Sequence, residues 1–159
     1  IPRKGFVNVH FSVLPLYRGA APVQRAVMEG RDETGVSIMV LTEGMDEGPV
    51  LAIEKLPIED DATAGEVGEK LALVGAPLLV DSLSAYVTGT LQPTEQDDEA
   101  ATYAPKITTE EARIDWAAPA VSIRDLVRGL NPAPGAWTTL RDQRVKIHSV
   151  RDAPAAPSL

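Results

Sequence analysis

The chain has 159 residues, two histidines, no cysteine and a formal charge of −8. That length suits one ordinary domain or one and a half small ones; the absence of cysteine excludes disulfides and thiolate metal sites, and two histidines exclude a multi-His centre, so no metal is expected. The acidic balance excludes a surface that grips nucleic acid all over, and with no run of about 18 apolar residues and no basic-then-apolar leader, neither a membrane span nor a signal peptide is expected and the cytoplasm is the default compartment.

The sequence opens almost directly into an apolar stretch, Val7-Asn8-Val9-His10-Phe11, which predicts a strand. Alternation puts Val7, Val9 and Phe11 on one face and Asn8 with His10 on the other. An amide beside an imidazole offers a hydrogen-bond donor and a group that gains or loses a proton near neutrality, which suits acyl-type transfer; a buried pair satisfied by backbone is the alternative. Ser12-Val13-Leu14-Pro15 then marks the change from strand to loop. Pro22 and Gly30 have the positions of first turn and C′ of a short helix, whose positive end, together with Arg18, would lie near that loop.

Residues 36–41 form a nearly continuous apolar run, the pattern of a strand buried on both faces. It gives way to the turn-rich Thr42-Glu43-Gly44-Met45-Asp46-Glu47-Gly48-Pro49, and residues 50–58 read as the next strand, antiparallel because the connection is too short for a crossover helix. Thr63 and Glu66 have capping-box spacing for a helix ending at Gly75, with a second helix expected from Pro77 to Gly89.

Residues 1–91 are expected to form one unit, 92–108 an interdomain linker, and 109–159 a second, β-rich unit. In the latter, residues 122–130 carry Ile123, Leu126, Val127 and Leu130 on one helical face, and residues 136–150 read as a hairpin turning at 141–144. Trp116 and Trp137 are expected as core anchors, and His148 as a strand residue without catalytic duty. Through residue 107 there are 8 Lys+Arg against 17 Asp+Glu, and from Thr108 onward 7 against 6. A polyanionic partner, if there is one, would therefore meet the second unit more easily, through Arg141, Arg144, Lys146 and Arg151; on count alone, solvated strand and turn charges are the favoured alternative. The start at Ile1 without methionine and the Pro/Ala run at 153–159 lead us to expect a piece of a longer protein.

Asn8, His10 and Asp46 form a coherent set: both strands end in loops, and adjacent parallel strands would bring those loops together. A carboxylate orients an imidazole and favours its cationic form. Amide and imidazolium can stabilise the oxygen of a tetrahedral intermediate while the carboxylate assists departure of a proton from an attacking amine.

The ordered motifs Asn8-x-His10-x-Ser12-x-Leu14-Pro15-x-x-Arg18-Gly19, Thr34-Gly35-Val36 and Gly44-Met45-Asp46-x-Gly48-Pro49 resemble the folate-dependent formyltransferase family. Arg18-Gly19-Ala20-Ala21-Pro22-x-Gln24, the Gly44 to Pro49 loop and Glu110-Glu111-Ala112-Arg113-Ile114-Asp115-Trp116 are similar to the branch that formylates initiator tRNA, and Asn131-Pro132-x-Pro134-Gly135-Ala136-Trp137 is similar to the start of the C-terminal barrel that several members share. The resemblance implies an α/β fold, namely the C-terminal half of a Rossmann-like formyltransferase domain followed by the start of a small OB-like β-barrel. It implies Asn8, His10 and Asp46 as the catalytic trio, with 10-formyltetrahydrofolate as co-substrate. Ser12, Val13, Leu14 and Pro15 would touch the folate, Val13 replacing the usual leucine, and Leu41, Thr42, Glu43, Gly44 and Met45 would read its pterin ring. The implied acceptor is the α-amino group of methionyl initiator tRNA, held partly by the barrel, in an enzyme that is monomeric at full length and inactive as this fragment. A sugar-nucleotide N-formyltransferase, or a non-catalytic folate- or RNA-binding fragment, are the alternatives.

Overall fold

The computed structural model describes residues 5–151; the Pro/Ala run at 153–159 lies outside them. Three strands, β1 (Val7–His10), β2 (Glu33–Val40) and β3 (Val50–Pro57), form a sheet in the order β1-β2-β3. Both ladders are antiparallel, with His10 opposite Ser37 and Ser37 opposite Ile53. This corrects the expected parallel pairing of β1 and β2. The chain turns back only after α1 (Pro22–Met28), a seven-residue helix too short to span a crossover onto the sheet. Glu29 caps α1 and Gly30 follows at φ +66°, the left-handed position expected of it.

β2 is the middle strand, and residues 34–39 are buried; the expected burial on both faces holds for residues 36–39, while Val40 is half-buried and Leu41, expected in the strand, is exposed and lies beyond its end. Val7, Val9, Phe11, Val36 and Ile38 share one packed core with α2 (Ala64–Thr88). That helix crosses the sheet so closely that a Cβ on Gly75 would stand 3.1 Å from Val36 and 3.3 Å from Val9. Two helices were expected here and one is found. Thr63 and Glu66 complete the capping box at its start, and Gly89 ends it in the left-handed conformation. Pro77 removes a single backbone donor, and the helix runs on around it. At 25 residues α2 is long and apolar enough to cross a membrane by length and composition, yet Val67, Leu71 and Gly75 form a row buried against the sheet.

The C-terminal part consists of α3 (Ala120–Gly129) and a hairpin of β4 (Ala136–Leu140) and β5 (Gln143–Ile147). The turn is only Arg141 and Asp142, both at positive φ, so Gln143 and Arg144 belong to the strand rather than to the expected four-residue turn. Val127, Leu130 and Ala136 form its core with Ile114, and Ile123 and Leu126 pack against it. Trp137 sits at the core edge between Arg113 and Arg144, its indole N–H donating to the Thr109 carbonyl (2.8 Å). Trp116 is 58% exposed and is no core anchor; it donates to Thr138 Oγ1.

This part is fastened to the first. Gly129 of α3 has no side chain where it meets α1: a Cβ there would lie 3.0 Å from the Met28 nitrogen and 3.2 Å from the Gln24 carbonyl oxygen. Arg128 donates to the Ala62 carbonyl (3.2 Å), and Gly65 N–H to Asn131 (3.0 Å). Arg25 of α1 makes a two-pronged ion pair with Glu111. The hydrogen bond from Arg25 outweighs partial burial and holds the Glu111 carboxyl below the usual range. A depressed native pKa gives stability that is present above the unfolded value, roughly pH 4.3, and lost as pH falls through the native one. The difference in unfolding midpoint between wild type and Glu111→Gln is therefore expected to shrink as the pH is taken from about 6 to about 3. A difference that stays constant over that range would remove the pair from the acid response.

Candidate active site

β1 delivers Asn8 and His10 to the sheet face opposite α2, the face that also carries Ser37 and Met39. His10 is 5% exposed. Its Nε2 lies 2.9 Å from the Tyr17 carbonyl oxygen. A carbonyl only accepts, so Nε2 carries the proton and Nδ1 is the ring atom left for chemistry. Nδ1 stands 3.6 Å from Asp46 Oδ2.

Asp46 reaches this position although the loop that carries it leaves the far end of β2. Residues 41–48 fold back over the sheet, with Asp46 itself at φ +54°. Its Oδ2 also accepts the Gly19 backbone N–H (2.8 Å). Gly19 is needed as glycine: φ is +118°, and a Cβ would meet the Ala104 carbonyl oxygen at 2.9 Å. Asn8 shares the His10 face and is half-buried, with no side-chain hydrogen bond among the described residues. A cleft of about 400 Å³ opens beside His10, lined by Phe11, Gly19, Ala20, Pro22 and Gln24 among others. Its wall includes the start of α1, as expected.

The residues expected to hold a co-substrate divide into two groups. Ser12 and Leu14 are buried and work within the loop: Ser12 Oγ donates to the Leu16 carbonyl (2.5 Å), Ser37 Oγ to the Ser12 carbonyl (2.7 Å), and Leu14 N–H to Ser37 Oγ (3.1 Å). Val13 and Pro15 are half-buried, and the Leu14-Pro15 peptide is cis. Leu14 and Pro15 line a separate cleft with residues 50–53 and 94–97. Leu41, Thr42, Glu43 and Met45 are exposed and Gly44 half-buried; residues 42–45 make no backbone-to-backbone hydrogen bond among the described residues.

Arg18 is the fixed positive charge expected near the loop, and it is not a surface charge on a turn. It is 2% exposed, with Nε and Nη2 bonded to Gln96 Oε1 (3.1 and 2.9 Å) and Nη2 to Asp98 (2.7 Å). Burial alone would lower its pKa, and the hydrogen bond and charge of Asp98 more than offset this. Tyr17, whose carbonyl orients His10, is fixed by its own side chain: burial and the bond from its hydroxyl to Glu29 (2.5 Å) push the phenol pKa up. Sequence reasoning passed over Tyr17 and Gln96. Nothing in the composition of residues 92–108 distinguishes Gln96 from a linker residue. Among the described residues no group of three or more His, Asp or Glu is placed to hold a metal.

A family model described as formyl transferase matches residues 1–83, and one described as formyl transferase, C-terminal domain, matches residues 106–158. A methionyl-tRNA formyltransferase from a Parafrankia species is 49% identical over 98% of this chain and 50% of its own length, so the chain spans about half of such curated relatives. Among solved structures, HypX from Aquifex aeolicus in complex with tetrahydrofolic acid aligns with a TM-score of 0.77 at 22% identity, over 88% of this chain and 24% of its own. An N-formyltransferase from Helicobacter canadensis in complex with folinic acid and dTDP-3-aminofucose aligns with a TM-score of 0.76 at 19% identity, over 91% of this chain and 53% of its own. These two share the α/β fold. With one family model covering more than half of the residues and the other most of the remainder, the chain belongs to the formyl transferase family.

Proposed function

We propose that the polypeptide carrying this chain transfers a formyl group from 10-formyltetrahydrofolate to the α-amino group of methionyl initiator tRNA. The observation that carries the reading is the His10–Asp46 pair at 3.6 Å, each partner held by a backbone group and set beside an open cleft. The 49% identity to a methionyl-tRNA formyltransferase supports the choice of acceptor. The unpaired backbone groups of residues 42–45 suit the donor and acceptor edge of a pterin, which supports a folate there.

When bound, the folate supplies the formyl carbon as electrophile, and the chain's own groups do the rest. The Asn8 amide donates to the carbonyl oxygen as negative charge develops on it. His10 adds Nδ1–H in its cationic form, aimed by the Nε2–Tyr17 bond. Asp46 keeps that ring in place through Oδ2, and its second oxygen, which has no partner among the described residues, takes the proton leaving the amine. The bond between the formyl carbon and the folate nitrogen then breaks, and the proton that Asp46 took from the amine passes to that nitrogen, so tetrahydrofolate leaves neutral and the transfer is direct, with no covalent enzyme intermediate. Arg141, Arg144, Lys146 and Arg151 of the C-terminal part supply positive charge for the tRNA.

The full-length polypeptide, assayed with charged initiator tRNA and separately with an amino-sugar nucleotide, is expected to formylate the tRNA. Turnover of the sugar nucleotide alone would instead assign it to the sugar N-formyltransferase branch, a branch whose Helicobacter member shares this fold. The 159 residues by themselves are expected to show little transfer, and near full-length rates from them would overturn that expectation.

A further inference from the structure

The loop that carries Asp46 contributes little to its own placement. Residues 42–45 have no backbone-to-backbone partners among the described residues, and Asp46 occupies a left-handed conformation that favours glycine. Yet its carboxylate is held at His10 Nδ1 and Gly19 N–H. The restraint comes from 50 residues away. Gln96 Nε2 donates to the Asp46 carbonyl (2.8 Å) and to the Gly48 carbonyl (2.7 Å), and Gln96 Oε1 accepts twice from Arg18.

We propose that Gln96 is a positioning residue: its amide nitrogen ties down the Asp46 loop, its amide oxygen anchors on the buried Arg18, and the Asp46 carboxylate is thereby held against His10. This rests on the proposed role of Asp46. All four hydrogen-bonding capacities of the amide are used, two donors and two lone pairs, so the fit is specific to Gln. Glutamate could still accept from Arg18 but would turn a second acceptor toward two carbonyl oxygens. Asparagine is one methylene too short to span the same partners.

The strand-like segment around Gln96 is itself pinned. Thr94 exchanges backbone hydrogen bonds with Val50 (2.7 and 2.8 Å), Arg18 N–H donates to Thr102 (2.9 Å), and Ala104 N–H donates to Arg18 (2.7 Å). Residues 94–104, expected as linker, thus act as a strap across the site. Tyr17 N–H also donates to Thr102 Oγ1 (2.9 Å), so the same strap bears on the residue that orients His10.

The test uses Gln96→Glu and Gln96→Ala in the full-length polypeptide, with two readouts. In formyl transfer, kcat is expected to fall about 10- to 100-fold with KM for both substrates little changed, the scale of a misplacement of about 1 Å. The double variant Gln96→Ala with Asp46→Asn is expected to be no slower than Asp46→Asn alone, because the first change acts only through the second. Losses that multiply would overturn the proposal, as would a Gln96→Glu enzyme with wild-type kcat. The second readout does not depend on activity. Exchange of the Gly19 amide proton, which is bonded to Asp46 Oδ2, is expected to quicken by about tenfold in both single variants. The Gly30 amide, bonded to Val27, should exchange as in wild type. Unchanged Gly19 exchange sinks the proposal even in a protein that transfers no formyl group. Quickened Gly19 exchange in such a protein upholds the positioning of Asp46 and overturns only the functional reading.

Discussion

With His10 replaced by alanine, the full-length polypeptide is expected to transfer formyl groups about 10²- to 10³-fold more slowly in kcat, the usual cost of one oxyanion donor. The imidazole is the one group in the site whose two nitrogens do different jobs. Nε2 is committed to Tyr17, and Nδ1 faces both Asp46 and the cleft. In the proposed mechanism, removing the ring takes away a donor to the developing charge, and it leaves the Asp46 carboxylate without the group it faces. The structural cost is smaller, because the Tyr17 carbonyl is left without its buried partner, a loss of about 1–3 kcal/mol. Stability and activity should therefore separate: the unfolding midpoint moves modestly while turnover collapses and KM holds. Unchanged turnover would rule out the trio as described.

The second large effect is on the fold. Leu71→Ala is expected to destabilise by about 2–5 kcal/mol in equilibrium denaturation, because a fully buried leucine leaves a cavity that its neighbours fill only in part. Leu71 lies in the buried row of α2 with Val67 and Gly75, and the helix is seated so close at Gly75 that an added Cβ would stand 3.1–3.3 Å from side chains of β2 and β1. The helix cannot settle further to close the gap. Against a typical stability of about 5–15 kcal/mol, the loss is a large fraction of the total. A change under about 0.5 kcal/mol, the scale of a surface substitution, would mean that α2 is not seated on the sheet as described.

Local rules carried much of the reading. Pro22 and Gly30 bracket a helix because a fixed φ suits its start and a positive φ its end, and both work within a few residues. The same holds for the Thr63/Glu66 capping box and for β2, whose neighbours on both faces require an unbroken apolar run. Errors arose where the outcome depended on distant partners. Strand direction follows from the path of the chain between strands, which a period of two does not encode. Pro77 looked like a boundary, but a single missing donor is a small loss beside the burial of the whole helical row. Trp116 looked like core, yet its side chain lies largely outside the core and bonds Thr138. Gln96 was invisible because its role needs Arg18, Asp46 and Gly48 to be together first, and no spacing in the sequence records that meeting.

The bare backbone of Gly129 against Met28 and Gln24 has a metric consequence. α1 begins at the wall of the His10 cleft and ends against α3, so a seven-residue rod joins the cleft to the C-terminal part. The Arg25–Glu111 pair ties that rod to the C-terminal part a second time. The span from the cleft to α3 is thereby set where Gly129 brings no side chain of its own, so it cannot be lengthened or shortened by a change of rotamer at that position.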